Sequence, residues 1–381
     1  MKKIFNIMLI AVCGIALVAC NGDKNTPTDE ATAKEQALEK VMRPYVENTV
    51  IATYSGMATE GITLLKECNA ILDAVEKGTD YAADMKAAGE TWRRMRKYWE
   101  QSEAFLFGPA EKHNIDPHID SWPLDFNAMQ ALLANEAQMK DIEEEGGSYV
   151  GDKLGYALKG FHAAEYFLFQ AGQPHSTDLS HAEAVYLVGI VEDLVQQAIL
   201  LEDCWAGKVS AEKEAVITDD EGESMSYGEN WGDYFVNASH PGSVWVTYQE
   251  AAEQIIEGCV DIAGEVADLK LGNPYRGDDP DYLESPYSRT STIDFADNII
   301  SIRNAYAGAK DGDASISDYV KSKDAELDTR VKATISEAIE LIGKIQNFET
   351  NPTDAAVGTA IKKVSELEDL LDDEVLPLLS K

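Results

Sequence analysis

Basic residues, cysteines and strand signals are all scarce in this 381-residue chain. Lys and Arg number 32 against 68 Asp and Glu, a formal charge of −36. That balance excludes nucleic acid as a partner, and adhesion to anionic membranes by charge. An acidic surface attracts cations without selecting one. There are five cysteines. Cys13 and Cys20 lie in the N-terminal segment considered below, which leaves Cys68, Cys204 and Cys259. An odd count permits at most one disulfide within the chain, and the spacing fits no zinc motif, so buried free thiols are expected. Period-two alternation is almost missing, which argues against a sheet protein. No Gly-x-Ser-x-Gly elbow, Walker loop or dinucleotide fingerprint occurs anywhere in the chain.

The N-terminus has the layout of a bacterial secretory signal. Lys2 and Lys3 open a basic region, Ile4 to Val18 form an uncharged apolar run, and LVAC (Leu17 to Cys20) closes it. LVAC resembles the lipobox of bacterial lipoproteins, which implies cleavage before Cys20 and acylation of that residue. Residues 1–19 are therefore expected to be removed, leaving Cys20 to carry lipid and 20–35 to act as a flexible tether. The expected address is the cell envelope, as a lipoprotein of the outer membrane on its periplasmic or exposed face.

Stretches rich in Ala, Leu, Glu, Lys and Ile recur with helical spacing between Gly, Pro and Asp clusters. They predict helices near 32–54, 57–77, 80–106, 126–145, 149–171, 180–205, 229–238, 243–269, 291–309, 315–348 and 353–379, so the fold class is all-α. About 360 mature residues exceed what one core usually supports. The charged, aperiodic segment 206–230 is read as a linker between a bundle over 36–205 and another over 231–381. A second irregular stretch, 270–291, has the length of a functional loop.

Three stretches carry candidate chemistry. In WRRMRKYWEQSEAFLFGPAEKHNIDPHIDSWPLDF (92–126), Trp92, Met95, Tyr98, Trp99 and Ser102 share a helical face, and Glu103 is an acid beside large apolar groups. Asp116, Asp120 and Asp125 punctuate the loop behind it as turn and cap formers. Asp125 precedes an apolar run and suits a helix cap; it is also carried as a pocket-lining candidate. In GFHAAEY (160–166), His162 and Glu165 stand three apart on one helical face, where imidazole and carboxylate can converge on one ion such as zinc or iron. A further ligand is needed, and Glu103 is the first candidate. The same spacing also suits a core polar pair. Neither H-E-x-x-H nor H-x-x-E-H is complete, because Tyr166 stands where the latter needs histidine. In ESPYSRTSTIDFADNIISIRNAYAG (284–308), Ser288 and Ser291 precede a helix whose first turn holds Asp294.

Together these stretches resemble the imelysin-like proteins. GFHAAEYFLF is similar to that family's Gly-x-His-x-x-Glu motif, and the other two stretches to its first-half and second-half motifs, in the same order. The resemblance runs from about residue 40 to the end. It implies two helical bundles related by duplication, a secreted or lipid-anchored protein, and an association with iron uptake. It further implies that His162 and Glu165 lie in a pocket near the bundle interface, with Glu103, Ser288 and Asp294 as neighbours. The expected function is binding of iron or another divalent ion, or of an iron-bearing ligand, through His162, Glu165 and Glu103, alongside envelope iron-uptake proteins. A metallopeptidase using Glu165 as ligand or base is one alternative, and a non-catalytic surface interaction protein another.

Overall fold

A computed structural model describes residues 29–381, except positions 220, 280 and 281 and the side chains at 29 and 30. The expected signal segment, the lipidated Cys20 and the start of the tether lie outside the described residues. The fold is all-α, as the spacing predicts. Among the described residues, the only paired strands are Phe169–Gln170 and Gln173–Pro174, two residues each, which form one small antiparallel hairpin.

The helices form two groups. The first is built on Ala52–Lys77, Ala82–Glu100 and His181–Ala206, with the shorter Glu136–Glu145, Gly147–Lys153 and Gly160–Leu168 packed against the last. The second contains Tyr248–Glu265, Ser291–Ala307, Ala325–Ile342 and Ala355–Leu370. His181–Ala206 starts at a capping box between Ser180 and Glu183 and ends at Gly207 with φ 72°. It is apolar around almost its whole circumference, and nearly all of it is buried in the first group's core. Trp92, Trp99, Trp205, Tyr54 and Phe161 are fully buried around these helices. Each large side chain taken out of water contributes roughly 1.5–3 kcal/mol.

The two groups meet around a short 3-10 turn, Glu103–Phe105, which packs on Tyr248–Glu265 and Ser291–Ala307. Gly258 permits that approach, since a Cβ there would lie 2.2 Å from the Ala104 carbonyl oxygen. The Ala104 amide donates to Ser301 Oγ at 3.1 Å across the same seam. The first described helix, Asp29–Pro44, lies against Tyr248–Glu265 and passes through a π-turn, Tyr45–Ile51, into Ala52–Lys77. Pro44 has no N–H and stands immediately before that turn, where the hydrogen-bond ladder shifts. This helix begins at Asp29, inside the stretch expected to be tether, because ATAKEQALEK is made of strong helix formers.

Several predicted helices prove shorter or divided. The 80–106 helix stops at Glu100, which places Glu103 in the 3-10 turn. The 126–145 helix divides where Asn135 accepts hydrogen bonds from the amides of Ala137 and Gln138 and so starts a new helix. The 149–171 helix is interrupted before Gly160, which has φ 76°. A Cβ at Gly160 would sit 2.2 Å from the Ile119 carbonyl oxygen, so the glycine lets the His162 helix abut the 115–120 segment. Segment 206–230 is strapped to the first group: Lys213 Nζ donates to Glu202 Oε2 at 2.5 Å and to the Ser55 carbonyl at 3.1 Å.

Candidate functional site

A buried polar region lies at the junction of the two groups, and Arg96 is at its centre. Arg96 and Glu100, four apart on the Ala82–Glu100 helix, turn inward beside Trp92 and Trp99. The Arg96 guanidinium, only 1% exposed, contacts Asp120, Glu284 Oε1 at 2.7 Å and Glu100 Oε1 at 2.6 Å. Lys270 is also buried, 3.5 Å from Glu284, 3.7 Å from Glu103, 3.8 Å from Glu265 and 3.9 Å from Glu100. Asn298 Nδ2 donates to Glu100 Oε2 at 2.6 Å, and Trp99 Nε1 donates to Asp120 Oδ2 at 2.6 Å. Charges this deep require partners, and most of these have several.

Carboxylates outnumber cations here, and their proton affinities follow. Burial pushes Glu100 up to about 7, against the pull of Arg96 and Lys270. Burial likewise raises Glu103 and Asp294 well above the ordinary carboxylate range. Asp120 goes the other way: burial would raise it, but Arg96 and the neighbouring His162 outweigh burial and hold it low. Lys270 keeps its charge, because Glu103, Glu284, Glu100 and Glu265 overcome the cost of burial.

The motif helix Gly160–Leu168 enters this region from one side. It is fastened to the Ala82–Glu100 helix by Trp92 Nε1, which donates to the Phe161 carbonyl at 3.2 Å. Glu165, 0% exposed, accepts at Oε1 from the Ser288 amide at 2.7 Å and from Ser288 Oγ at 2.6 Å, while its Oε2 has no hydrogen-bond partner. Burial raises the Glu165 carboxyl, and His162 and Ser288 offset part of that rise. His162 is 1% exposed and neither ring nitrogen is hydrogen-bonded. Its Nε2 lies 3.1 Å from Asp120 Oδ1, a close electrostatic contact, and the Trp122 ring lies 4.9 Å away between centroids. Two donor sets converge within 4.8 Å: Asp120, His162 and Glu284, and Glu100, Glu103 and Asp120. Asp120 belongs to both. Beside them opens a cleft of about 420 Å³ lined by Glu103, Glu111, Asp116, Asp261 and Glu265. Burial, then Asp120 and Glu265, push Asp116 up to about 7.

The family model described as imelysin, peptidase M75, matches residues 50–372. The chain belongs to the imelysin family. Iron-regulated protein A of Synechococcus elongatus is 28% identical over 359 residues, covering 92% of this chain and 89% of that protein. A solved chain from Parabacteroides distasonis, assigned as an iron-regulated protein A precursor, is 26% identical with a TM-score of 0.76, covering 91% of this chain and 96% of that one. An imelysin-like protein from Psychrobacter arcticum shares the fold at 11% identity, with a TM-score of 0.66 over 91% of this chain and 96% of its own.

The site of this imelysin-family chain differs from the expected set in its partners. Glu103 is buried, but it joins Glu100 and Asp120 beside Lys270 and not His162. Glu165 joins neither donor set, because Ser288 holds it. Ser288 is thus a direct partner of the motif. Asp294 is buried and accepts from Ser285 Oγ at 2.5 Å. Asp125 does not line the pocket: it is exposed and caps Phe126–Leu133, accepting from the Ala128 amide at 2.9 Å. Arg96, Glu100, Asp120, Lys270 and Glu284 were not among the expected ligands. One signal was present, since positions 92, 96, 99 and 103 follow helical spacing and Arg96 and Glu100 are an i, i+4 pair.

Proposed function

We propose that this imelysin-family protein binds iron, or another divalent ion of similar chemistry, between its two helix groups in support of iron uptake. One observation carries the reading: His162, buried with neither ring nitrogen hydrogen-bonded, stands against Asp120 in a region richer in carboxylates than in cations. Buried polar atoms normally find partners, and a bound ion would supply one. Imidazole and carboxylate oxygen suit iron(II) or zinc, so Asp120, His162 and Glu284 form a fitting donor set. Glu165 and Ser288 would orient the motif helix, and Glu103 would face the acidic cleft that leads to solvent. The iron-regulated names of the relatives favour iron over zinc. Cys20, if acylated as its lipobox implies, would tether this body within the envelope near uptake partners.

A peptidase reading gains less from this geometry. A catalytic ion keeps an open position for substrate, whereas His162 and Glu165 are 1% and 0% exposed. Tyr166, in the place of the missing histidine, packs its ring against Phe126, Phe167 and Tyr287.

The test is anaerobic calorimetric titration of the soluble chain beginning after Cys20 with iron(II), beside His162→Ala, with peptide hydrolysis assayed on the same samples. Binding near one equivalent that disappears in a folded His162→Ala, without hydrolysis, is expected. Equal binding by both proteins, or chelator-sensitive hydrolysis, would overturn the reading.

A further inference from the structure

A second set of donor groups lies away from the central region, where segment 206–230 returns to the first helix group. His113 ends the short Pro109–Lys112 turn, Cys204 lies near the end of His181–Ala206, and Glu229 precedes Trp231–Val236. One donor atom from each lies within 4.8 Å of the other two. Their environment resembles that of a built ligand set. His113 Nε2 is 3.0 Å from Glu229 Oε2, and the His113 ring stacks on Tyr227 at 3.6 Å between centroids and 7° from parallel. Trp231 Nε1 donates to Glu229 Oε2 at 2.6 Å, while Lys112 donates to the other oxygen, Oε1. Metal ligands are commonly oriented by such outer partners. Cys204 is a buried free thiol, whereas His113 and Glu229 have side chains 15% and 16% exposed, so an ion can approach from their side.

We propose that His113, Cys204 and Glu229 form a second metal site, selective for a borderline divalent transition ion such as zinc. The donors are one nitrogen, one sulfur and one oxygen, a softer set than the all-nitrogen-and-oxygen central cluster, and thiolate favours zinc or cobalt over harder ions. Three protein ligands leave a fourth position on the exposed side for water or a small ligand. On binding, the Cys204 Sγ–H bond breaks and its proton passes to solvent, while the sulfur electron pair forms the bond to the ion. The close His113 to Glu229 contact is replaced by a shared bond to the ion. Glu229 retains Lys112 and Trp231.

Cobalt(II) titration of the reduced soluble chain beginning after Cys20 tests this site apart from the central one, which contains no cysteine. A thiolate-to-cobalt charge-transfer band saturating near one equivalent, and reversed by zinc, is expected. Cys204→Ser should lack the band, and Trp231→Phe should weaken binding roughly 10–100-fold. If Cys204→Ser does not fold, His113→Ala, altered at the partly exposed edge, must still weaken the band. Absence of the band in the wild type, its persistence in Cys204→Ser, or unchanged affinity in His113→Ala would overturn the proposal.

Discussion

The buried junction has two ends that differ in how their polar groups are satisfied. At the Arg96 end, three carboxylates meet one guanidinium, Asn298 binds Glu100, and Trp99 binds Asp120. At the motif end, both ring nitrogens of His162 and one oxygen of Glu165 have no hydrogen bond, at the same depth. The first end is paired mainly by the chain's own charges and joins the two helix groups, although Arg96 Nε, Glu100 Oε1 and Asn298 Oδ1 there also have no hydrogen bond. The second differs in that one whole side chain, His162, has neither of its polar atoms hydrogen-bonded, as a ligand to an ion would.

The largest expected break in that comparison is Arg96→Leu. It removes the guanidinium from Asp120 and leaves Glu284 and Glu100 only their longer contacts with Lys270, and removal of one partner from a buried ion network costs about 3–5 kcal/mol. Denaturant unfolding should show that loss, or the variant should fail to accumulate. Gly160→Ala comes next, because a Cβ there meets the Ile119 carbonyl at φ 76°. Backbone strain of this kind costs roughly 1–3 kcal/mol, and the shifted motif helix should also weaken iron(II) binding in a titration.

His162→Ala sharpens the contrast from the other side. It removes a buried ring and its contact with Asp120, so it should cost about 0.5–3 kcal/mol without the ion, and it should abolish the stabilisation that iron(II) gives the wild type in thermal unfolding. The pH dependence of stability offers a smaller test. Burial raises Asp116 from 3.8 to about 7, so between those values the folded state holds a proton that the unfolded state has lost. Asp116 therefore makes stability fall as pH rises through that window. Asp116→Asn should flatten the slope, as measured by denaturant midpoints across it. The smallest effect is expected for Asp125→Ala, which removes a helix cap for about 0.5–1 kcal/mol and leaves ion binding unchanged.

Much of the fold was legible because helical periodicity runs the length of the chain, and the motif helix and the loop holding Ser288 were singled out from their residue types. The helix ends were less legible. Nothing in the periodicity separates Gln101 from Glu100, and the division at Asn135 depends on one side chain accepting backbone hydrogen bonds. The partners of His162 were hidden for a different reason. Asp120 reads as an ordinary turn former, and Glu284 and Lys270 lie in and beside a loop whose burial is decided by tertiary packing. Among the crowded cations of WRRMRK, only the Trp92 and Trp99 face distinguishes Arg96 as the buried one.

The most direct measurement is anomalous diffraction from crystals of the soluble chain grown anaerobically with iron(II). The account predicts an iron peak within bonding distance of Asp120, His162 and Glu284, and no such peak in crystals of His162→Ala. Iron found only elsewhere, with His162 and Asp120 in unaltered direct contact, would contradict it and leave the motif as a structural polar pair.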